Sequence, residues 1–306
     1  MQILLDDFEV IKRLSPENKN KFGDVFLVRN KVQGDLFVLK SIGKNRTSKL
    51  GLLRLQNEAK FSFDYKGLPK DISFFESEES YHLLRPFEEG IPLAKYWKGI
   101  RKRDRLKEIK SIFKALASIL FHLEEKRCVH GDLSPSNILI NKQENDISCS
   151  LIDFGLSFDL DNKERRGTTF SLTYSAPEMI LNSDENIDIR TDIYSLGLIL
   201  YKLYSGESAF EHSNPNVLTQ MYITYPLEKP WGMPKELFTL IEKACAKHYF
   251  KRSPNQYKKL DLIAWLEDGM KSRYDNYSDF IEDIEKLNAL RFHQRISRRI
   301  PIFKPK

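Results

Sequence analysis

The sequence predicts an α+β fold in two lobes, and three observations carry that prediction. Short β-type runs fill the first ninety residues, amphipathic helical patterns dominate the remainder, and a short connector containing Pro86, Gly90 and Pro92 joins the two. A small β-rich part with one main helix, followed by a larger helical part, places a cleft between them.

The elements follow in order. VFLVRN (25–30) and LFVLKSI (36–42) are β-rich runs separated by Gly34-Asp35, which makes a hairpin. Residues 48–63 carry leucines and phenylalanines three and four apart, the spacing of a helix with one buried face. Strand character returns over 72–87 around a charged turn. A long helix is predicted at 107–126, where Ile109, Ile112, Phe113, Leu116, Ile119, Leu120 and Leu123 form one stripe. Short strands are expected at 137–140 and 148–153, then helices at 190–205, 234–247, 258–268 and 277–298. These runs divide the chain into a first lobe at 1–88, a second at 89–268 and a helical, basic extension at 269–306. Trp97, Trp231 and Trp265 are expected in the core or in lobe packing.

Composition narrows the class. With 306 residues, 41% hydrophobic and 12% aromatic, the chain can bury a sizeable core. Cys128, Cys149 and Cys245 lie far apart with no CxxC pair, which argues against a disulfide framework or a cysteine-built zinc site and suits a reducing cytoplasmic setting. The start of the sequence has no secretory pattern, and its longest apolar stretches, such as 196–204, are too short to span a bilayer. The net charge of +6 resides in Arg291, Arg295, Arg298, Arg299, Lys304 and Lys306, with no acid from 289 onward. Such a basic tail can contact an acidic partner, although a solvated helix end is the plainer expectation, and nucleic acid is not an expected partner.

The chemistry concentrates in His130-Gly131-Asp132-Leu133-Ser134-Pro135-Ser136-Asn137 and, after a β-hairpin, Ile152-Asp153-Phe154-Gly155. An Asp, an Asn five residues later and a second Asp assemble hard oxygen groups. Phosphoryl transfer needs this set: a carboxylate at the acceptor hydroxyl and oxygen ligands for magnesium. Asp132 is the candidate base, and Asn137 and Asp153 are the candidate metal ligands.

In these segments the chain resembles the eukaryotic-type protein kinases, over most of residues 8–268 and in the same order. The resemblance implies the bilobal protein-kinase-like fold, ATP and Mg2+ as cofactors and a protein substrate. It makes Lys40 the contact to the α- and β-phosphates and Glu58 its ion-pair partner. Gly23, Val25, Val38 and Glu88 then line the nucleotide site, the first from the glycine loop and the last as a backbone donor in the connector. Tyr174-Ser175-Ala176-Pro177-Glu178 resembles the end of the activation segment. Asp192 matches the aspartate that accepts hydrogen bonds from the catalytic-loop backbone, and Arg252 matches the arginine that pairs with Glu178. Ser171, five residues before Ala176, favours serine or threonine as acceptor.

The pattern also departs from the family. Between Leu14 and Val25 only Gly23 remains of three glycines, with Lys19 and Lys21 in the loop. Gly131 replaces the arginine that binds an activation-segment phosphate, which implies activity without that phosphorylation. Ser134 replaces a lysine that reaches the γ-phosphate, and its loss is expected to slow transfer. Two other readings stay open: a scaffold that binds ATP without chemistry, and a small-molecule phosphotransferase, whose His-Gly-Asp style is shared here.

Overall fold

The computed structural model describes residues 5–15, 23–46, 49–144, 146–162, 172–250 and 254–287. The small lobe is an antiparallel sheet of five strands, β1 (Phe8–Arg13), β2 (Asp24–Asn30), β3 (Leu36–Gly43), β4 (Ser73–Glu76) and β5 (Ser80–Pro86), in the order β1-β2-β3-β5-β4. Register decides its two faces, because directly paired residues project to the same side. Val25 pairs with Lys40 and Lys40 with Leu83; Leu27 pairs with Val38 and Val38 with Arg85. These six residues therefore share the face toward the cleft. On the opposite face Val28, Leu39 and Leu84 form a separate apolar cluster with Phe8, Phe26, Phe37 and Phe75.

Helix α1 (Lys49–Glu58) lies on the cleft side, with Leu55 packed against Ile42 and Leu83. It ends five residues earlier than its apolar spacing predicts. The amides of Lys60 and Phe61 turn back three residues to Asn57 and Glu58, and Phe61 and Phe63 leave the helical path to pack on Phe154, at 6.1 and 5.4 Å between ring centres. Tertiary packing of those two rings overrides the local pattern.

A two-residue strand β6 (Ile91–Pro92) and one turn of helix α2 (Leu93–Tyr96) lead into the large lobe, whose spine is α3 (Arg105–Glu125). The seven residues of its predicted stripe are all buried. After β7 (Cys128–Val129) come the hairpin strands β8 (Ile138–Gln143) and β9 (Asp146–Leu151), then β10 (Phe158–Asp159) and the short helix α4 (Pro177–Ile180). Helix α5 (Ile189–Ser205) opens on a reciprocal cap. The Asp188 carboxylate accepts from the Arg190 amide at 2.8 Å and the Thr191 hydroxyl accepts from the Asp188 amide at 3.4 Å. Helix α6 (Pro215–Thr224) has no counterpart among the predicted elements, although Asn214-Pro215 is a start signal, with the Asn214 side chain capping Asn216.

Helices α7 (Lys235–Ala244), α8 (Lys259–Met270) and α9 (Tyr277–Lys286) complete the lobe. The boundary placed at 268 moves as a consequence. Tyr277, Phe280, Ile281, Ile284 and Leu287 belong to the main core, with Phe280 edge-on to Phe113 of α3 at 5.9 Å. Each such fully buried side chain contributes roughly 1.5–3 kcal/mol, so the large lobe runs through Leu287. The basic tail from 289 lies outside the described residues. Trp97 and Trp265 pack as expected, Trp97 donating to the Leu203 carbonyl and Trp265 stacking on His248. Trp231 does not: it is 96% exposed on the loop before α7.

A second correction concerns Glu178. Its partner is Arg273, which donates to both carboxylate oxygens at 2.6 and 3.0 Å in a pair with almost no solvent contact. Arg252 lies outside the described residues. Helix α8 stands between α7 and Arg273, tied to the rest by Asn186 donating to the Ile263 carbonyl and Arg190 pairing with Glu267. The partner of Glu178 thus lies well beyond the position to which the family resemblance pointed.

Removing one member of a buried ion pair strands the other. Arg273→Met is expected to lower the free energy of urea unfolding by about 3–5 kcal/mol. A loss of only about 1 kcal/mol or less, the range of an exposed pair, would contradict the buried pairing.

Candidate active site

The cleft between the lobes gathers Lys40, Glu58, Asp132, Asn137 and Asp153. Lys40 Nζ lies 2.5 Å from Glu58 Oε2 and 3.4 Å from Asp153 Oδ1, so one cation joins α1 to the segment after β9. Burial alone would lower the lysine's pKa, but the Asp153 and Glu58 carboxylates outweigh it and hold it above its ordinary value. Asp153 adopts a left-handed backbone, φ +69°, and its pKa is lowered: burial opposes this, but Lys40, Arg54 and His130 prevail.

The catalytic loop hangs from α5. The buried Asp192 carboxylate accepts from the amides of His130 (2.7 Å) and Gly131 (2.9 Å), and from the hydroxyl of Tyr277 on α9 (3.1 Å). Burial pushes Asp192 up to about 6 even so. Gly131 sits at φ +73°, where a Cβ would come within 2.4 Å of the Leu156 carbonyl oxygen, so the glycine is a backbone requirement here. His130 is fully buried. Its Nδ1 faces the Asp132 amide at 3.3 Å and its Nε2 the Ile152 carbonyl at 3.2 Å, an arrangement that suits the neutral ring protonated on Nε2. Burial pushes its pKa down to about 4.

Asp132 points into the cleft, and Asn137 Nδ2 donates to its backbone carbonyl at 2.8 Å. Burial, with Asp153 adding repulsion, pushes Asp132 up to about 7, while Arg54 and Lys40 pull against that rise. A carboxylate poised near neutrality is suited to accept a proton from a hydroxyl.

Two side chains of α1 had no place in the sequence reading. Asn57 Nδ2 donates to the carbonyls of Phe154, Gly155 and Ser157 at 3.4, 3.1 and 3.0 Å, fastening the helix to the turn after Asp153. A polar residue on a buried face beside Glu58 was the available signal. Arg54 Nη2 stands 3.9 Å from Asp132 Oδ2, a cation near the loop that carries Ser134 in place of lysine.

Val25 and Val38 face the cleft from β2 and β3. In the connector Pro86 has no amide, and the Phe87 amide is engaged by the Leu36 carbonyl at 3.0 Å, leaving Glu88 as the first residue able to donate to a ligand. Gly23 serves the sheet: at φ +96°, a Cβ would meet the Ser41 carbonyl oxygen and Ile42 at 2.5 Å. Lys19, Lys21 and Ser171 lie outside the described residues.

The donor set fits magnesium. Asn137 uses its amide nitrogen on Asp132, which frees its oxygen as a ligand, and the Asp153 side chain is 45% exposed to the cleft. Magnesium at nucleotide sites takes one or two protein oxygens and completes its shell with phosphate and water. Among the described residues there is no group of three or more His, Cys, Asp or Glu placed to hold a metal by themselves.

A two-lobed fold with this cleft defines a protein-kinase-type domain, and comparison with known sequences agrees. The protein kinase domain family matches residues 19–266, and the chain belongs to it. It is 28% identical to an Aurora kinase of Candida glabrata over 79% of this chain and 66% of the relative. It is 33% identical to calcium-dependent protein kinase 4 of Plasmodium falciparum over 67% of this chain and 39% of the relative. Aurora kinase B of Mus musculus is 25% identical over 82% of this chain and 71% of the relative. The chain thus spans from two-fifths to about seven-tenths of these relatives. The family match ends at 266, before Arg273 and Tyr277, the residues of the large lobe that the sequence reading missed. No helix among the described residues is long and apolar enough to cross a membrane.

His130 supplies a pH test. The unfolded chain takes up a proton near pH 6.5 and the folded chain only near 4, so its contribution to stability is complete above 6.5 and lost as the pH falls from about 6.5 to about 4. Full loss is on the order of 3 kcal/mol. Asp132 and Asp192, both raised, act in the opposite sense, so the difference between parent and His130→Phe isolates the histidine. Between pH 7 and 5 the parent is expected to lose more stability to urea than the variant; parallel slopes would contradict a buried neutral ring.

Proposed function

We propose that this domain transfers the γ-phosphate of a nucleoside triphosphate, ATP in the family, to a serine or threonine hydroxyl of a protein, with Mg2+ as cofactor. The observation that carries this reading is the pair of Lys40 contacts, 2.5 Å to Glu58 and 3.4 Å to Asp153. A lysine held by carboxylates from both lobes is charged and fixed where phosphate oxygens are to be gripped.

Asn137 and Asp153 are the residues that would hold magnesium, which supplies charge neutralisation on the phosphates. Asp132 orients the acceptor hydroxyl and takes its proton. Burial and the Asp153 carboxylate raise its pKa to about 7, which suits a proton acceptor. The Asp192 carboxylate positions the loop that carries Asp132, and Phe154, packed on His130 at 4.6 Å, positions Asp153. The intact set of five polar residues favours an enzyme over a scaffold.

Gly131 supports a further part of the reading, that activity does not require a phosphate on the activation segment. The position lacks the arginine that would bind it, and a side chain there would collide with Leu156.

Transfer of label from ATP to a generic basic protein is expected in the parent, on serine or threonine, and to fall by about a hundredfold or more in Asp132→Ala. Label that persists in the variant would remove Asp132 from the chemistry. No protein label despite nucleotide binding would favour the scaffold or small-molecule reading. Phosphatase treatment is expected to leave the rate unchanged; an inactive treated sample restored by phosphorylation within 168–173 would refute the independence.

A further inference from the structure

Arg85 is a charged residue on the cleft face that the mechanism above does not use. It pairs with Val38 in the β3–β5 register, two positions along from the Lys40–Leu83 pair and one before the connector. It therefore stands roughly 7 Å along the strand from the phosphate-gripping lysine, at the end of the cleft where a base enters.

The residue is only 4% exposed, and among the described residues Nε has no hydrogen-bond partner. Its charge is felt by both Lys40 and Glu58, which places it at the back of the pocket. No described carboxylate lies within ion-pair distance of it. Among the described residues its side chain makes one hydrogen bond, from Nη1 to the carbonyl of Pro86 at 3.2 Å.

That carbonyl matters because of where it points. Backbone groups alternate sides along a strand, and the Phe87 amide bonds to Leu36 on the β3 side. The Pro86 carbonyl faces the other way, past the end of β4, whose last pairing with β5 is Ser73 to Leu84. An adenine amino group needs an acceptor at such an edge, and this one already gives one of its two lone pairs to Arg85. A guanidinium can only donate. The edge that meets C6 of a purine therefore combines a cation's N–H groups with one half-used acceptor, a set that favours an oxygen over an amine.

We propose that Arg85 reads the group at C6 of the bound purine and favours a 6-oxopurine, so that GTP serves as phosphate donor at least as well as ATP. This rests on the reading of the cleft as a nucleotide site and refines which nucleotide it takes.

The test measures kcat/KM for labelled GTP and ATP, and binding of Mg2+ complexes of GDP, IDP and ADP by calorimetry. IDP shares the C6 oxygen of GDP but lacks the 2-amino group, so it isolates the position in question. In the parent, kcat/KM for GTP should equal or exceed that for ATP, with GDP and IDP binding at least as tightly as ADP. Arg85→Met should lower the GTP-to-ATP ratio tenfold or more, and Arg85→Lys, which keeps a donor, should lower it less. ADP binding with GDP and IDP more than tenfold weaker in the parent would overturn the proposal and leave the nucleotide site standing. So would an unchanged ratio in Arg85→Met. If none of the three binds, both the proposal and the nucleotide reading fall. The parent comparison needs no variant, so misfolding of Arg85→Met cannot rescue the idea.

Discussion

The buried carboxylate of Asp192 is the constraint on which the rest of the site depends. Desolvating a carboxylate is costly, and here the cost is offset by two amides of the catalytic loop and a tyrosine hydroxyl from α9. The same bonds hold Gly131 in a left-handed conformation and aim Asp132 into the cleft. Because one of the three donors comes from beyond residue 268, the last described helix is part of the support of the catalytic loop.

The second organising contact is α1. Glu58 holds Lys40 on the sheet side, and Asn57, its neighbour, grips three carbonyls of the turn after Asp153. Adjacent residues of one helix thus connect the small lobe to both faces of the site. A displacement of α1 would loosen the lysine and the Asp-Phe-Gly turn together, because the two attachments share one rigid element. The departures from the family pattern cluster around the same region. Gly131 and Ser134 remove two cations from the catalytic loop, while Arg54 brings one toward Asp132 from α1 and Arg85 places another at the back of the cleft.

The partner of Glu178 lies beyond helix α8, where spacing gave no sign of it. The Glu178–Arg273 pair keeps α4 fixed beside α5, with Thr191 donating to the same carboxylate at 2.9 Å. Such a pair fixes geometry more than it adds net stability. At the end of helix α8, Gly269 presses against the backbone of Lys247 and His248.

The sequence by itself determined the two lobes, the hairpin of β2 and β3 and the stripe of α3, and it offered Asp132, Asn137 and Asp153 as candidates, with Lys40 and Glu58 added by the family resemblance. These are legible because the signals are local: strand and helix periods, and residues held at short spacings within one loop or strand end. Tertiary structure alone decided the early end of α1, the exposure of Trp231, the pairing of Arg273 with Glu178, and the parts played by Asn57, Tyr277 and Arg85. Those contacts join residues 95, 97 and 85 positions apart in the cases of Arg273, Asn57 and Tyr277. Burial and hydrogen-bond satisfaction select such partners only after the chain has folded, and no spacing rule reaches across that distance.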